Sequence, residues 1–282
     1  MDALKLSHVC KEYGDFSLKN VSFALPMGSI MGFIGENGAG KSTTINAILG
    51  LIRRDGGEIQ VLGRPVHQRP DPDLKQQLGV VLDEAGFPQA MTARQVGRML
   101  AGCYKNWDQK GFEEYLKRFS LPDKKPIREF SRGMKMKLEL AAALSHGARL
   151  LILDEATSGL DPVVRDEIID LLLEFIQDEN HAVLISSHIT SDLEKVCDYV
   201  TFIHRGEILY SEEKDALLER MCVVKCSAQQ LERLDRKAVH GVRRGQFGAE
   251  VLAERALVPA DLVADPATLE DIMVFTGKGD EK

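Results

Sequence analysis

The stretch GENGAGKST, Gly35 to Thr43, leaves a chain few choices of fold. It follows the apolar run SIMGFI and opens a segment, Lys41 to Leu51, whose pattern predicts a helix. Its glycines let backbone N–H groups converge on one point with no side chain in the way. The helix N-terminus behind them adds positive potential, which suits phosphate groups. Gly35, Asn37, Gly38 and Gly40 would form the cradle, and Lys41 would reach the β- and γ-phosphates of a nucleotide. Ser42 would place its hydroxyl on Mg²⁺, with Thr43 beside it. Such a loop works only where a buried strand ends and a helix begins, so a sheet must lie behind it.

The rest of the chain supplies one. LKLSHVCKEY, FSLKNVSFAL and SIMGFIG read as strands. A Gly56-Gly57 turn precedes the strand EIQVLG, and LGVVLDE (Leu78 to Glu84) reads as a buried strand. From Phe87 to about Gly147 the pattern is helical. RLLILDE then reads as a strand covered on both faces. DPVVRDEIIDLLLEFIQDE carries Val164, Ile168, Leu171, Leu172 and Phe175 at helical spacing. HAVLISSH, TSDLEKVCD and YVTFIHRGEILYS complete a strand–helix alternation, the order of a doubly wound α/β sheet. Beyond Met221 come a strand, the helix AQQLERLD, two strands around RRGQFG, and the helix TLEDIMVF. The expected division is a core of residues 1–84 and 149–220, an inserted helical subdomain at 85–148, and a small α+β accessory domain at 221–282.

Composition narrows the function classes. A net charge of −7 over 282 residues argues against a nucleic-acid face, so no nucleic-acid partner is expected. No apolar run reaches about 18 residues, and MDALKLSHVCKEYGD holds no secretory apolar stretch, so a cytoplasmic chain that does not itself cross a bilayer is expected. Five scattered cysteines fit reduced thiols, with Cys222 and Cys226 as strand residues rather than metal ligands.

Asp154 and Glu155 end the strand RLLILDE, and buried charges need partners. Asp154 would hold Mg²⁺ through the metal's water shell. Glu155 would act as general base or position the attacking water.

Taken together, these motifs resemble those of ABC-type ATPases, the nucleotide-binding subunits of ATP-binding cassette transporters, over roughly Leu4 to Glu219. In register with that family, Tyr13 stands where an aromatic stacks on adenine, although alone it reads more readily as a sheet-surface aromatic. FSRGM (Phe130 to Met134) stands at the signature motif and SGLD (Ser158 to Asp161) at the D-loop, where Asp161 before Pro162 is also a good helix cap. His188 stands at the switch histidine. The resemblance implies a P-loop NTPase fold with an antiparallel β part, ATP and Mg²⁺ as ligands, and two cassettes paired head to tail as homodimer or heterodimer. In such a pair Ser131 and Gly133 of one chain close on the triphosphate held by the other. It also implies a transmembrane permease subunit as partner, met by the segment Phe87 to Leu100, at the cytoplasmic face of the membrane.

Four positions depart from the family. Arg132 replaces the first signature glycine and Met134 the glutamine, as in the ABC-2-type exporter branch. Asp83 holds the place of the Q-loop glutamine, where it would keep a metal contact near Asp154 and Glu155. Ala156 replaces a proline, with little consequence expected. Export of a drug, peptide or lipid-like molecule is the leading expectation. A nucleotide sensor with little turnover and a soluble ABC ATPase outside transport are the alternatives.

Overall fold

The computed structural model describes residues 1–67, 71–82, 86–246 and 248–277. The chain begins with two long antiparallel strands, β1 (Asp2–Glu12) and β2 (Ser17–Pro26). β3 (Ile30–Ile34), buried at every residue, feeds the glycine-rich loop and α1 (Lys41–Ile48). β4 (Gly56–Val61) and β5 (Arg64–Pro65) complete a four-stranded antiparallel sheet in the order β2-β1-β4-β5. The short α2 (Pro72–Lys75) and β6 (Leu78–Val81) lead into the helical part, α3 (Ala93–Ala101), α4 (Gln109–Arg118) and α5 (Arg132–Leu144). Then β7 (Leu150–Asp154), α6 (Pro162–Phe175), β8 (Ala182–Ser187), α7 (Thr190–Val196), β9 (Tyr199–His204) and β10 (Glu207–Glu213) alternate. The chain closes with α8 (Lys214–Arg220), β11 (Met221–Cys226), α9 (Ala228–Leu231), β12 (Val239–Gly245), β13 (Gly248–Glu254), β14 (Ala264–Pro266) and α10 (Leu269–Gly277).

The central sheet runs β10-β9-β3-β8-β7-β6. Its strands are parallel except for β10, which pairs antiparallel with β9. β3 lies between β8 and β9, so the loop after β3 and the ends of β7 and β8 meet at one edge of the sheet. That is where an open α/β sheet collects its functional residues.

Each face of the sheet has its own apolar core. One joins Leu4, Val21 and Ile59 of the antiparallel sheet to Phe33, Ile45 and Leu150. The other joins Phe112, Leu138, Leu151 and Ile185 and continues through Leu217, Met221 and Leu252 to Leu269, Ile272 and Phe275 of α10. The C-terminal sheet, β12-β13-β11-β14, adds a small core of its own around Val224 and Val251. At one end of α10, Leu269 N–H donates to Glu194 Oε1 of α7 at 2.6 Å. At its other end Gly277 lies against the Glu36 carboxylate of the glycine-rich loop. Among the described residues no helix is long and apolar enough to cross a membrane.

Several local expectations change. Gly56 and Gly57 do not form a turn before a strand; they open β4. Gly57 has φ +78° at a break in the β1–β4 register, and a Cβ there would run into the His8 carbonyl. The first helix ends at Ile48 rather than Leu51, because the chain turns left-handed at Gly50, φ +66°. The strand expected to reach Glu84 ends at Val81; Asp83 and Glu84 lie outside the described residues. The segment AQQLERLD is helical only over Ala228–Leu231.

His146, just past α5, is buried, stacks on Tyr104 with ring centres 3.9 Å apart, and places Nδ1 3.2 Å from the Gln76 carbonyl. Burial pushes its pKa below the ordinary 6.5. As pH falls through that ordinary value the unfolded chain takes up the proton first, so stability is lost toward the depressed folded value. Thermal unfolding should therefore shift to lower temperature between pH 7.5 and 5.5, and His146→Gln should reduce the shift. An unchanged pH dependence in that variant would remove His146 as a contributor.

Candidate active site

The loop after β3 is held in shape by packing. Gly40 has φ +115°, and a Cβ there would lie 2.8 Å from Leu18 Cδ2 and 2.9 Å from Phe16 Cζ. Only glycine fits, because the start of β2 presses on the loop. Gly38, φ +80°, would direct a Cβ into open space, the side left for a ligand. Lys41 opens α1 yet is 5% exposed. Its ammonium donates to the carbonyls of Gly35 at 2.6 Å and Glu36 at 3.2 Å, and lies 3.2 Å from Glu155 Oε1. Ser42 and Thr43 follow on the first turn of α1, with Ser42 exposed.

Asp154, buried at the end of β7, accepts from Ser186 Oγ of β8 at 2.5 Å through Oδ1. Its other oxygen has no hydrogen-bond partner among the described residues. Glu155 follows in a left-handed backbone conformation, φ +53°, which costs a non-glycine residue about 1–2 kcal/mol. The turn aims its side chain at two partners. Oε2 meets His188 Nδ1 at 2.6 Å, and Oε1, buried without a hydrogen-bond partner among the described residues, lies 3.2 Å from the Lys41 ammonium. A cation, a carboxylate and an imidazole from three separate loops are thus joined at the carboxyl edge of the sheet.

The residues present fit the groups that the sequence implies. A hydroxyl on Ser42 and a free oxygen on Asp154 are hard donors of the kind Mg²⁺ takes. Among the described residues no cluster of three or more acidic, histidine or cysteine side chains forms a preformed metal cage. One or two protein ligands suffice for a Mg²⁺ that arrives on nucleotide phosphates.

Tyr13 is 45% exposed on the β1–β2 turn, where the Lys11 ammonium lies 5.2 Å from its ring centre. The turn borders a cleft of about 770 Å³ that runs from Tyr13 and Phe16 past Lys19 to Gly38 and Arg205. That volume accommodates a nucleoside beside the phosphate cradle. No motif marks Lys19 or Arg205; chain folding alone brings them there. Base–aromatic stacking is worth about 1–3 kcal/mol, so Tyr13→Ala should weaken ATP binding roughly tenfold while Tyr13→Trp retains it. Equal affinities in an equilibrium titration would take Tyr13 out of the site.

The remaining candidates sit at the starts of two helices. Ser131 caps α5, its Oγ accepting the Met134 N–H at 3.2 Å, and Gly133 packs toward Val164 of α6. Asp161 caps α6 through the Val164 N–H at 3.1 Å. The Arg132 guanidinium lies against Gly159 of the SGLD loop, where a Cβ would stand 2.9 Å from Nη1. The residue that replaces a signature glycine is thus packed within its own chain. Asp83 cannot be placed, since it lies outside the described residues. Ser186, which sequence reasoning missed, touches both acids. The hydroxyl pair in ISSH, before the histidine, was its signal.

The pattern of the ABC transporter family matches residues 18–158, a span that holds the glycine-rich loop, Ser131, Asp154 and Glu155, but not Tyr13, Asp161 or His188. The bacitracin transport ATP-binding protein BcrA of Bacillus licheniformis is 35% identical over 223 residues, 77% of this chain and 72% of its own. The lantibiotic transport ATP-binding protein SrtF of Streptococcus pyogenes is 34% identical over 215 residues, 75% and 91% of the two chains. Among solved structures, an ATP-binding subunit of an ABC transporter superposes with a TM-score of 0.69 at 26% identity, covering 76% of this chain and 91% of that one.

Proposed function

The chain belongs to the ABC transporter family, as an ATP-binding subunit and ATPase, and from that premise we propose that it powers export through a separate membrane-spanning subunit. The observation that carries the reading is the junction of Lys41, Glu155 and His188, which ties the phosphate loop, the end of β7 and the end of β8 into one centre.

Each residue then has a definable task. Backbone N–H groups of the Gly35–Gly40 loop bind the phosphates, and Tyr13 stacks on the base. When nucleotide enters, Lys41 exchanges its present partners for phosphate oxygens. Ser42 and Asp154 would hold Mg²⁺, which when bound would supply neutralisation of charge on the phosphates. Glu155 takes the proton of the attacking water or orients that water, and His188 fixes its carboxylate through the Oε2 contact. Asp83 remains a candidate for the same metal position.

Ser131 and Gly133 serve no ligand on their own chain in this reading. They complete the site of a second cassette paired head to tail, with Asp161 at the seam, through the attraction of a helix start for anions. Nucleotide closes the pair and hydrolysis opens it, and that cycle moves the membrane subunit. Residues 1–220 form the motor, with 85–148 as its helical subdomain and 221–282 as an accessory unit tied to it by α10. The chain sits peripherally on the cytoplasmic face of the membrane.

The bacitracin and lantibiotic relatives favour a peptide or another amphiphilic antimicrobial as the exported class. Expressed with a membrane-spanning subunit of an exporter of this family from the same source, the chain should sediment with membranes and leave them in detergent as a complex that hydrolyses ATP. A chain that stays in the supernatant alongside that protein, or leaves with ribosomes instead, would contradict the transport reading.

A further inference from the structure

Ser186 stands on β8 directly opposite Asp154 of β7 in the parallel register, fully buried. Its hydroxyl donates to Asp154 Oδ1 at 2.5 Å and accepts the Glu155 N–H at 3.0 Å. A serine hydroxyl carries one donor and two acceptor sites, and here its donor and one acceptor are spent on adjacent acids of a neighbouring strand. Neither bond serves its own strand, where Ser186 follows a buried run of Ala, Val, Leu and Ile and precedes the buried Ser187.

The consequences for the two acids differ. At Asp154 the bond fixes carboxylate rotation, so that one oxygen is committed to Ser186 and the other stays free at the sheet edge. At Glu155 it adds to the Ser186 carbonyl, 3.2 Å from the same N–H, in holding the left-handed turn that directs the side chain to Lys41 and His188. We propose that Ser186 is a positioning residue for both acids, orienting Asp154 for Mg²⁺ and holding the turn that aims Glu155. The inference rests on the roles assigned to those acids under the proposed function.

The test uses the full chain and a fluorescent ATP analogue, titrated with Mg²⁺ present and with EDTA. The quantity read is the gain in affinity that Mg²⁺ confers. Removing a partner of a metal-binding carboxylate typically costs about 10- to 100-fold. Ser186→Ala should therefore lose at least about tenfold of that gain, with its EDTA affinity near wild type. Thr201→Val is the control: Thr201 is also fully buried in this sheet, but its hydroxyl meets Met31 and Ser211 rather than the acids. It should keep the wild-type gain. A full gain in Ser186→Ala, or an equal loss in both variants, overturns the inference. Asp154→Asn, run alongside, separates the layers. Loss in that variant but none in Ser186→Ala sinks only the role of Ser186. No loss at Asp154→Asn sinks the metal assignment on which it rests.

Discussion

Glu155→Gln should lower steady-state phosphate release by at least about 100-fold while ATP affinity changes by less than about threefold, the span general-base catalysis ordinarily covers. The variant keeps the shape of the side chain and its capacity to accept from His188, now 2.6 Å away. It loses the negative charge that takes or orients the proton of water. It also frees Lys41 from its carboxylate partner at 3.2 Å, which favours phosphate rather than opposing it. Binding should therefore survive where turnover does not. Release within about fivefold of wild type would show that water is activated elsewhere. A collapse of both binding and thermal stability would instead assign Glu155 a purely structural role.

The second large effect is expected at Lys41. The ammonium is nearly enclosed and holds two loop carbonyls together with Glu155. Lys41→Ala removes the cation that would meet the phosphates and leaves the Glu155 carboxylate, without that ammonium, facing the place where phosphate must sit. Truncating one partner of a buried charge pair in a complex costs about 2–5 kcal/mol, and 3 kcal/mol corresponds to roughly 100-fold in affinity. An ATP titration of the variant should show at least that loss, with a folded chain by circular dichroism. Affinity within about threefold of wild type would mean that the cradle binds through backbone groups alone, and Lys41 would lose its assigned place.

The legibility of the site in the sequence follows from what each residue needs. The phosphate loop demands glycine at Gly40, where a Cβ would strike Leu18 and Phe16, so its chemistry leaves a local mark. Asp154 and Glu155 are conspicuous because two acids end a strand that is otherwise buried throughout. The strand–helix alternation exposes the parallel sheet for the same reason, since apolar runs covered on both faces differ in pattern from amphipathic helices. Features set by distant packing leave no such mark. The left-handed turn at Glu155 is fixed by Ser186, more than thirty residues on, and the cleft beside Tyr13 draws Arg205 from the β9–β10 turn. Likewise Gly57 reads as a turn residue, because a glycine required by the closeness of the His8 carbonyl is indistinguishable in sequence from one required by a reversal. The clasp of α10 between Glu194 and Glu36 joins segments far apart in the chain, which no local pattern reports.

In the proposed reading, Ser131 completes the phosphate site of a second chain rather than that of its own. Pairing on nucleotide is therefore the claim that most needs a direct measurement. Light scattering on the Glu155→Gln chain, saturated with ATP and Mg²⁺, reads it as mass. The predicted result is a shift from the 31.3 kDa of one chain, seen without nucleotide, to twice that value with it. A mass that stays at one chain while ATP is bound would contradict the shared seam.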